Sequence, residues 1–284
     1  MKTTLALIVA GLLVITSPAK KSFAASEADR INIAYEPPEN PAQTRLFEFA
    51  KEHKVLERLK EFLSPFRLPI PIKILMRGCE GDDSAEYGDG EITICYEFLD
   101  VLLENMPDKT TPAGIAPFDT VRGPFFDTAL HEFAHALFDM YDIPIFGREE
   151  DAADQLAAYL YLQLGGDETR RLILGTAYNY LVVETNDEDS AQTAKEFIED
   201  SAETHSLPAQ RAYNLLCVAY GANPKLFADV ASKGYLPRER AEFCHEEYEQ
   251  VQHAYEELIE PHIDTGLAEE IFDKTWLHRE TLKK

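Results

Sequence analysis

The sequence predicts an α+β protein in which helices dominate and a small sheet packs against one central helix. Two short β-rich segments lie between residues 68 and 96, and the chain after Pro124 is largely helical in its periodicity. With 45% hydrophobic and 11% aromatic residues, the chain can bury a substantial core. No low-complexity linker interrupts the 284 residues, so we expect one domain with a helical C-terminal subdomain.

The first 24 residues are predicted to be a cleavable signal peptide. Lys2 supplies a positive start, residues 5–16 are apolar, and Ser22-Phe23-Ala24 places small residues at the −3 and −1 positions of a cleavage site. The alternative is an uncleaved anchor, but the apolar run is too short to span a bilayer comfortably. We therefore expect a periplasmic or secreted protein that does not insert into a membrane after cleavage.

The N-terminal half contains short elements of both kinds. Residues 31–35 alternate weakly, like an edge strand, and residues 44–63 have apolar positions at the spacing of one amphipathic helix. Residues 68–77 and 91–96 are β-rich and flank the turn-rich sequence GDDSAEYGDG, which predicts a hairpin. A further helix is expected over residues 96–106.

The C-terminal half contains at least five helical patterns, separated by Gly, Asn-Pro or acidic breaks. The acidic run at residues 186–190 is predicted to be a solvated loop, because runs of like charge usually are. The five patterns lie near residues 124–141, 148–165, 207–220, 225–233 and 237–258.

The charge of the chain excludes some partners. Its 27 Lys and Arg against 51 Asp and Glu give a formal net charge of −24. Nucleic-acid binding depends on cationic side chains that neutralise phosphates, and no basic cluster is dense enough here. We therefore expect no nucleic-acid partner, and anionic membrane surfaces are disfavoured for the same reason.

The cysteines are an even set in a chain that we expect to be exported. None forms a CxxC pair, so structural disulfides are favoured over a zinc knuckle or a redox site. Four cysteines allow three connectivities, and the sequence-local one pairs Cys79 with Cys95 and Cys217 with Cys244. The first bond would join the two strands of the predicted hairpin, and the second would join two helices to each other.

Residues 131–135 read His-Glu-Phe-Ala-His. On a helix, His131 and His135 share one face and can bind the same metal, with Glu132 beside them. The flanking residues 125–140 are apolar nearly all round, so the helix is expected to be buried. Buried imidazoles and carboxylates are costly unless they are satisfied, which a divalent metal would do. The alternative is an accidental match whose histidines face solvent.

An acidic segment at residues 148–154 opens the next predicted helix. Glu150 and Asp154 lie four residues apart, and so on one face. Glu150 is predicted to be the third metal ligand and Asp154 to accept the outer N–H of a ligating histidine. Glu149 and Asp151 are the alternative third ligands. Plain complementation of the helix dipole is the competing explanation of the whole acidic turn.

HEFAH followed by Glu-x-x-x-Asp resembles the gluzincin branch of zinc metallopeptidases, in which a downstream helix supplies a glutamate ligand and a supporting aspartate. Only 14 residues separate His135 from Glu150, fewer than in thermolysin-like members. The chain also resembles a family of uncharacterised exported bacterial proteins, grouped as metallopeptidases from their motif. The resemblance rests on ITICYEF, HEFAHALFDM, GREEDAADQLAAY and HSLPAQRAYNLLCVAYG.

The resemblance implies a zincin-like fold with a small sheet packed on the HExxH helix. Residues 25–175 would form the metal-binding catalytic part and residues 176–284 the helical C-terminal subdomain. Residues 91–95 would be the strand along which an extended peptide binds by strand addition, the alternative being an ordinary scaffold hairpin.

A site of this kind has a defined chemistry. Zinc held by His131, His135 and Glu150 keeps an open position for water, lowers the pKa of that water towards about 7 and polarises the scissile carbonyl. Glu132 would be the general base. His205 is favoured as the donor to the developing oxyanion because it begins the HSLPAQR segment of the resemblance. The other candidates for this donor are Tyr178, Tyr180 and Arg211.

The sequence thus predicts a zinc-dependent peptidase acting on peptide or protein substrates. One alternative is a non-catalytic metal-binding or protein-binding module on a degenerate peptidase fold. Another is an enzyme that hydrolyses a different bond, such as an amide in cell-wall material. Glu132 favours catalysis, because a purely structural metal site has no need of a carboxylate at that position. A His2Glu ligand set also accepts other divalent metals, so zinc itself is an inference.

Overall fold

A computed structural model describes residues 30–82, 84–186, 199 and 201–274. The predicted signal peptide and most of the acidic run at residues 186–190 lie outside the described residues. Among the described residues, no helix combines the length and apolarity needed to cross a membrane. The architecture is α+β and helix-dominated, as the sequence predicted.

A four-stranded mixed sheet forms one layer of the described part of the molecule. β1, β2 and β4 are parallel, and β3 runs antiparallel to β4 at the edge, in the order β1-β2-β4-β3. A tight turn joins β3 to β4, with left-handed φ angles of 50° at Asp89 and 78° at Gly90. The strands are β1 (Ile31–Tyr35), β2 (Ile72–Arg77), β3 (Ala85–Gly88) and β4 (Glu91–Cys95).

Two expectations about this sheet are wrong. The segments 68–77 and 91–96 do not form a hairpin, since β2 and β4 pair in parallel, with Ile74 opposite Ile92. The hairpin is instead β3–β4, whose first strand lies inside the turn-rich segment. Strand β4 is therefore internal, and β3 takes the edge position that was expected of residues 91–95. Alternation of apolar and polar residues indicates a strand, but it does not indicate whether the neighbouring strand runs parallel or antiparallel.

The helices of the N-terminal half cover the sheet and complete its core. The single helix expected over residues 44–63 is two helices, because Lys54 adopts a left-handed φ of 52° and interrupts the chain. The helix after β4 begins at Tyr96 as expected, and it ends at Glu104. These helices are α1 (Thr44–Glu52), α2 (Val55–Leu63) and α3 (Tyr96–Glu104).

The central helix α4 (Asp119–Tyr141) contacts both the sheet and the helical layer. Phe133 on its sheet side packs edge-on against Phe66, with ring centroids 4.9 Å apart. On its other side α4 contacts two helices, α5 (Glu149–Tyr161) and α6 (Gly166–Asn186). A helix buried on nearly every side, as the apolar flanks of HEFAH predicted, holds its side chains in fixed positions.

Helix α6 was not expected from the sequence, and its packing explains why. A Cβ atom added at Gly175 would lie 1.9 Å from the carbonyl oxygen of Asp119, and one at Gly123 would lie 2.4 Å from that of Leu172. The α4–α6 contact therefore depends on small residues rather than on a bulky apolar stripe, which weakens the periodic signal. The subdomain division predicted after residue 175 falls within α6.

The remaining helices pack against α5, α6 and each other, and the last of them contacts α2 in the N-terminal half. The helix expected over residues 237–258 is two helices, Arg238–Ala241 and Cys244–Leu258. Phe272, at the end of the last described helix, packs on Phe62 of α2 with ring centroids 5.0 Å apart. The helices are α7 (Pro208–Ala222), α8 (Ala228–Ser232), α9 (Arg238–Ala241), α10 (Cys244–Leu258) and α11 (Thr265–Phe272).

Both disulfides join the sequence-local cysteines. Cys79–Cys95 fastens the carboxyl ends of the parallel strands β2 and β4, and Cys217–Cys244 fastens α7 to α10. The second bond holds α7 within the helical layer. Since α7 carries Arg211, this bond also supports the site described next.

Candidate metal centre

Three potential ligand atoms converge where α4 meets the start of α5. His131 and His135 lie one turn apart on α4, and their Nε2 atoms are 3.1 Å apart. Glu150 Oε2 lies 3.0 Å from His131 Nε2 and 3.3 Å from His135 Nε2. The short loop 142–148 places Glu150 there by reversing the chain with left-handed φ angles of 52° at Asp142 and 98° at Gly147.

The hydrogen bonds on the far side of each imidazole fix its tautomer. His131 Nδ1 lies 2.8 Å from Asp154 Oδ1, and His135 Nδ1 lies 2.8 Å from Glu149 Oε1. An ionised carboxylate only accepts hydrogen bonds, so each Nδ1 carries the donated hydrogen. Each Nε2 is then the nitrogen left to bind a metal ion or, when it carries a proton instead, to donate to Glu150 Oε2. Two nitrogens and one carboxylate oxygen fit zinc, which takes three protein ligands in catalytic sites.

The electrostatics of this group require a cation. Burial lowers the pKa of His131, but the hydrogen bonds to Asp154 and Glu150 outweigh it and raise the pKa to about 9. The hydrogen bond with His131 is the main reason that the pKa of Glu150 falls to about 2. Ring nitrogens and carboxylates packed this closely need positive charge between them, which either a proton or a metal ion supplies.

The carboxylate of Asp154 is fixed by an arginine on a third helix. Arg211 of α7 donates two hydrogen bonds to its carboxylate, of 2.8 Å from Nε and 2.7 Å from Nη2. Burial raises the pKa of Asp154, but His131 and Arg211 outweigh it and lower the pKa to about 2. The aspartate therefore remains an anion that orients His131, and a helix more than 50 residues away in sequence holds it there.

A buried tyrosine and a buried acid extend this support. The guanidinium of Arg211 lies 4.7 Å from the ring centroid of Tyr180, whose hydroxyl donates a 2.7 Å hydrogen bond to Asp127 Oδ2. Burial is the main cause that raises the pKa of Asp127 to about 6. Arg211 and Tyr180, both predicted as candidates for oxyanion donors, thus contact Asp154 and Asp127. Tyr178 is not among the described residues that line the cleft.

His205 lies beside the three-atom group. Its Nε2 is 2.8 Å from Glu150 Oε2, and its ring stacks near that of His131, with centroids 5.7 Å apart. The side chain is half exposed, and burial is the main cause that lowers the pKa of His205. The structure therefore brings His205 to the cleft next to Glu150.

Three side chains fasten the segment that carries His205 to the start of α5. Arg148 Nη2 donates a 2.7 Å hydrogen bond to Ser206 Oγ, and Ser206 Oγ donates one of 2.6 Å to Asp151 Oδ1. Arg148 Nε also bonds to Asp151 Oδ2 at 3.1 Å. We call Arg148, Asp151 and Ser206 the clamp. Asp151 is occupied by this clamp, which separates it from the group of potential ligands.

The two alternatives to Glu150 as third ligand therefore have other partners. Asp151 belongs to the clamp, and Glu149 accepts from the outer nitrogen of His135. The sequence predicted that Asp154 accepts the outer N–H of a histidine. It did not predict that Glu149 accepts the outer N–H of His135 in the same way. The signal was present, because Glu149 and Asp154 lie five residues apart on the helix that faces two histidines four apart.

An open cleft of about 700 Å³ leads to the site. Glu132 is only 8% exposed and lines this cleft. Burial raises the pKa of Glu132, and the neighbouring imidazoles of His131 and His135 oppose that shift. Tyr87 on the edge strand β3 donates a 2.8 Å hydrogen bond to Asp139, so β3 is fixed along one wall of the cleft.

The fold and this group define a helix-dominated α+β protein with an HExxH motif whose histidines and Glu150 could hold a metal ion. The family model described as "Putative metallopeptidase" matches residues 35–259. The chain therefore belongs to this metallopeptidase family, whose class is the hydrolases. No curated protein and no solved structure matches the chain.

Proposed function

We propose that the protein is an exported zinc-dependent peptidase that hydrolyses peptide bonds, with Glu132 as general base. The observation that carries the proposal is the convergence of His131, His135 and Glu150 within 3.3 Å, on the floor of a cleft that Glu132 also lines. A structural metal site closes its coordination with protein atoms, whereas this group is open to a large cleft.

The chemistry divides between the metal and the chain. Zinc bound by His131, His135 and Glu150 would polarise the scissile carbonyl and acidify the attacking water. Glu132 takes the proton from that water at a carboxylate oxygen and delivers it to the leaving amine nitrogen as the C–N bond breaks. Burial of Glu132 supports this role, because a raised pKa lets the carboxylate hold the proton between the two transfers.

His205 is proposed to stabilise the oxyanion. An imidazole N–H positioned at the cleft can donate to the carbonyl oxygen as negative charge develops there. The clamp supports this assignment, since it fixes the backbone next to His205 through the 2.7 Å bond from Arg148 to Ser206. Asp154 is proposed to position His131, and Glu149 to position His135.

The substrate is proposed to be an extended peptide or protein segment. Strand β3 pairs with β4 on one side, and its residues 85–87 line the cleft. An extended chain can add to the other side of β3 through main-chain hydrogen bonds. The substrate backbone would then run along the cleft that Glu132 also lines.

Export is supported by the two disulfides, which persist in oxidising compartments. We propose a periplasmic or secreted location, with residues 1–24 removed as a signal peptide. The mature chain would comprise a catalytic part over residues 25–175 and a helical subdomain over residues 176–284. Intact-mass measurement of the protein recovered from the periplasm tests the cleavage after Ala24.

The decisive experiment compares metal content and peptidase activity in four proteins. About one zinc ion per chain is expected in the wild type and in Glu132→Gln, whereas Glu150→Ala should lose the metal. Hydrolysis of a casein substrate should be abolished in both variants. Glu246→Gln, which changes an exposed glutamate on α10, is the matched control and should behave as wild type. Full activity of Glu132→Gln would refute the general-base assignment, and a zinc-free wild type would refute the proposal.

A further inference from the structure

We infer that the substrate is a cationic peptide with a bulky apolar residue near the scissile bond. Its basic side chain would lie against acidic groups of the cleft, and its apolar side chain would enter a pocket beside His135. The inference rests on the proposed peptidase function and names the substrate class of that same site. Two independent features of the surroundings of the metal centre support it.

The first feature is the charge of the cleft. Besides Glu132 and Glu150, four carboxylates line it, and none of the described lining residues is Lys or Arg. Two of the four have partners already, because Asp139 accepts from Tyr87 and Glu149 from His135. The four additional carboxylates are Glu86, Asp139, Asp142 and Glu149.

Glu86 and Asp142 are the two acids left for a ligand. Both are exposed, and neither side chain has a hydrogen bond or ion pair with another described residue. Glu86 comes from the edge strand β3, and Asp142 follows the end of α4, so the negative charge has two separate sources around one cleft. In a chain of net charge −24, this field attracts cationic peptides and repels acidic ones.

The second feature is an apolar pocket of about 260 Å³ that adjoins the cleft. Phe138 and Ile143 line both cavities, and the ring of Phe138 lies 6.5 Å from that of His135. Ile145 and Phe146 from the loop between α4 and α5 form part of its wall, together with residues of α5 and α10. An apolar cavity next to the reacting centre is suited to hold a substrate side chain.

Phe146 is a surface residue of this pocket wall. Its side chain is fully exposed. The loop that carries it is also the loop that places Glu150 at the metal site. One short loop thus joins the pocket wall to the proposed ligand Glu150, so a side chain in the pocket would lie near the scissile bond, where it can select between substrates.

The test uses four internally quenched decapeptides that differ only in composition. The first contains Lys and Leu residues; the others replace Lys by Glu, Leu by Ser, or both. For the zinc-loaded protein, kcat/KM should fall about tenfold or more on each single replacement. The Lys-to-Glu difference should shrink in 0.5 M salt, where charges are screened, while the Leu-to-Ser difference persists.

Variants test whether the acidic residues cause the preference for Lys and whether the apolar pocket causes the preference for Leu. The double variant Glu86→Gln/Asp142→Asn should lose most of the Lys preference and keep the Leu preference. Phe146→Ser should show the reverse, and Phe243→Ser, which changes an exposed phenylalanine outside both cavities, should change neither. Because all four positions are exposed or nearly so, these variants are expected to fold.

The outcomes separate this inference from the proposed function. Cleavage of all four peptides at similar rates would overturn the inference and leave the peptidase intact. A preference for Glu over Lys, or for Ser over Leu, would overturn the corresponding half. If the zinc-loaded wild type cleaves none of the four and also leaves casein intact, the proposed function fails along with the inference.

Discussion

The two histidines of the candidate metal centre are held in different ways. His131 is buried, and it contacts Asp154, which contacts Arg211, which in turn lies on Tyr180 with its partner Asp127, in a chain of contacts across four helices. His135 is nearer the cleft, and Glu149 is the only described residue that bonds to its Nδ1; the Glu149 side chain is 54% exposed against 19% for Asp154. The same carboxylate–imidazole contact is thus an interior network on one side and a surface pair on the other.

This difference determines where the site is rigid. A buried ionic contact is costly to break, because removing one partner leaves a charge without solvent or counterion. An exposed pair is replaced by water at little cost. We expect the inner chain of contacts to fix the position of the metal and the outer pair to leave room for substrate movement, and four predictions test that contrast.

The largest effect is expected for Arg211→Ala. It leaves Asp154 and Asp127 without their nearby cation, which should reduce the free energy of unfolding by about 3 kcal/mol and weaken metal binding. Urea denaturation with and without chelator measures both. The control is Lys274→Ala, which removes a more exposed pair with Glu61 and should reduce the free energy of unfolding far less. Equal losses in the two variants would contradict a special role for the inner network.

The next prediction concerns pH. The pKa of Asp127 is about 6, above its unfolded value, so the folded state holds a proton that the unfolded state releases. Stability from this group is therefore lost as the pH rises from about 4 to 6, and one pKa unit corresponds to about 1.4 kcal/mol. Asp127→Asn should remove this loss, so its stability relative to wild type should rise by about 3 kcal/mol between pH 4 and pH 7. If the stability difference between Asp127→Asn and wild type did not vary with pH, the pKa of Asp127 would be the same in the folded and unfolded protein, which would contradict the prediction.

The local part of the site was predictable from sequence, and the inner network was not. Spacing along a helix places His131 with His135, and Glu150 with Asp154, because the helical repeat fixes which residues share a face. The contact of Arg211 with Asp154 spans 57 residues. It depends on how α7 packs, which no local pattern encodes.

The fold shows the same limit. Alternation located the strands around Ile74 and Ile92, but the parallel pairing of β2 with β4 depends on a crossover that periodicity does not describe. Helix α6 was missed because Gly175 and its small neighbours pack against α4 without a bulky stripe. Sequence patterns therefore predict features that depend on a single helix or strand. They do not predict the contacts between elements that are distant in sequence.

A smaller effect is expected for Asp154→Asn. The amide keeps the shape of the side chain but removes the negative charge that supports His131, and such changes typically weaken metal binding 10- to 100-fold. Competition with a chromogenic zinc chelator measures the dissociation constant. If Asp154→Asn bound zinc as tightly as wild type, the inner network would be structural only.

The smallest effect is expected for Glu149→Gln, which makes the same chemical change on the outer side. Glu149 is more than half exposed, so water can replace its contact with His135 Nδ1, and an exposed pair contributes at most about 1 kcal/mol. The zinc dissociation constant should therefore rise less than about fivefold, well below the change in Asp154→Asn. Measuring both variants in one chelator titration makes the ratio independent of the absolute affinity. Equal weakening would show that the two histidines are held alike and would end the distinction between an inner and an outer side.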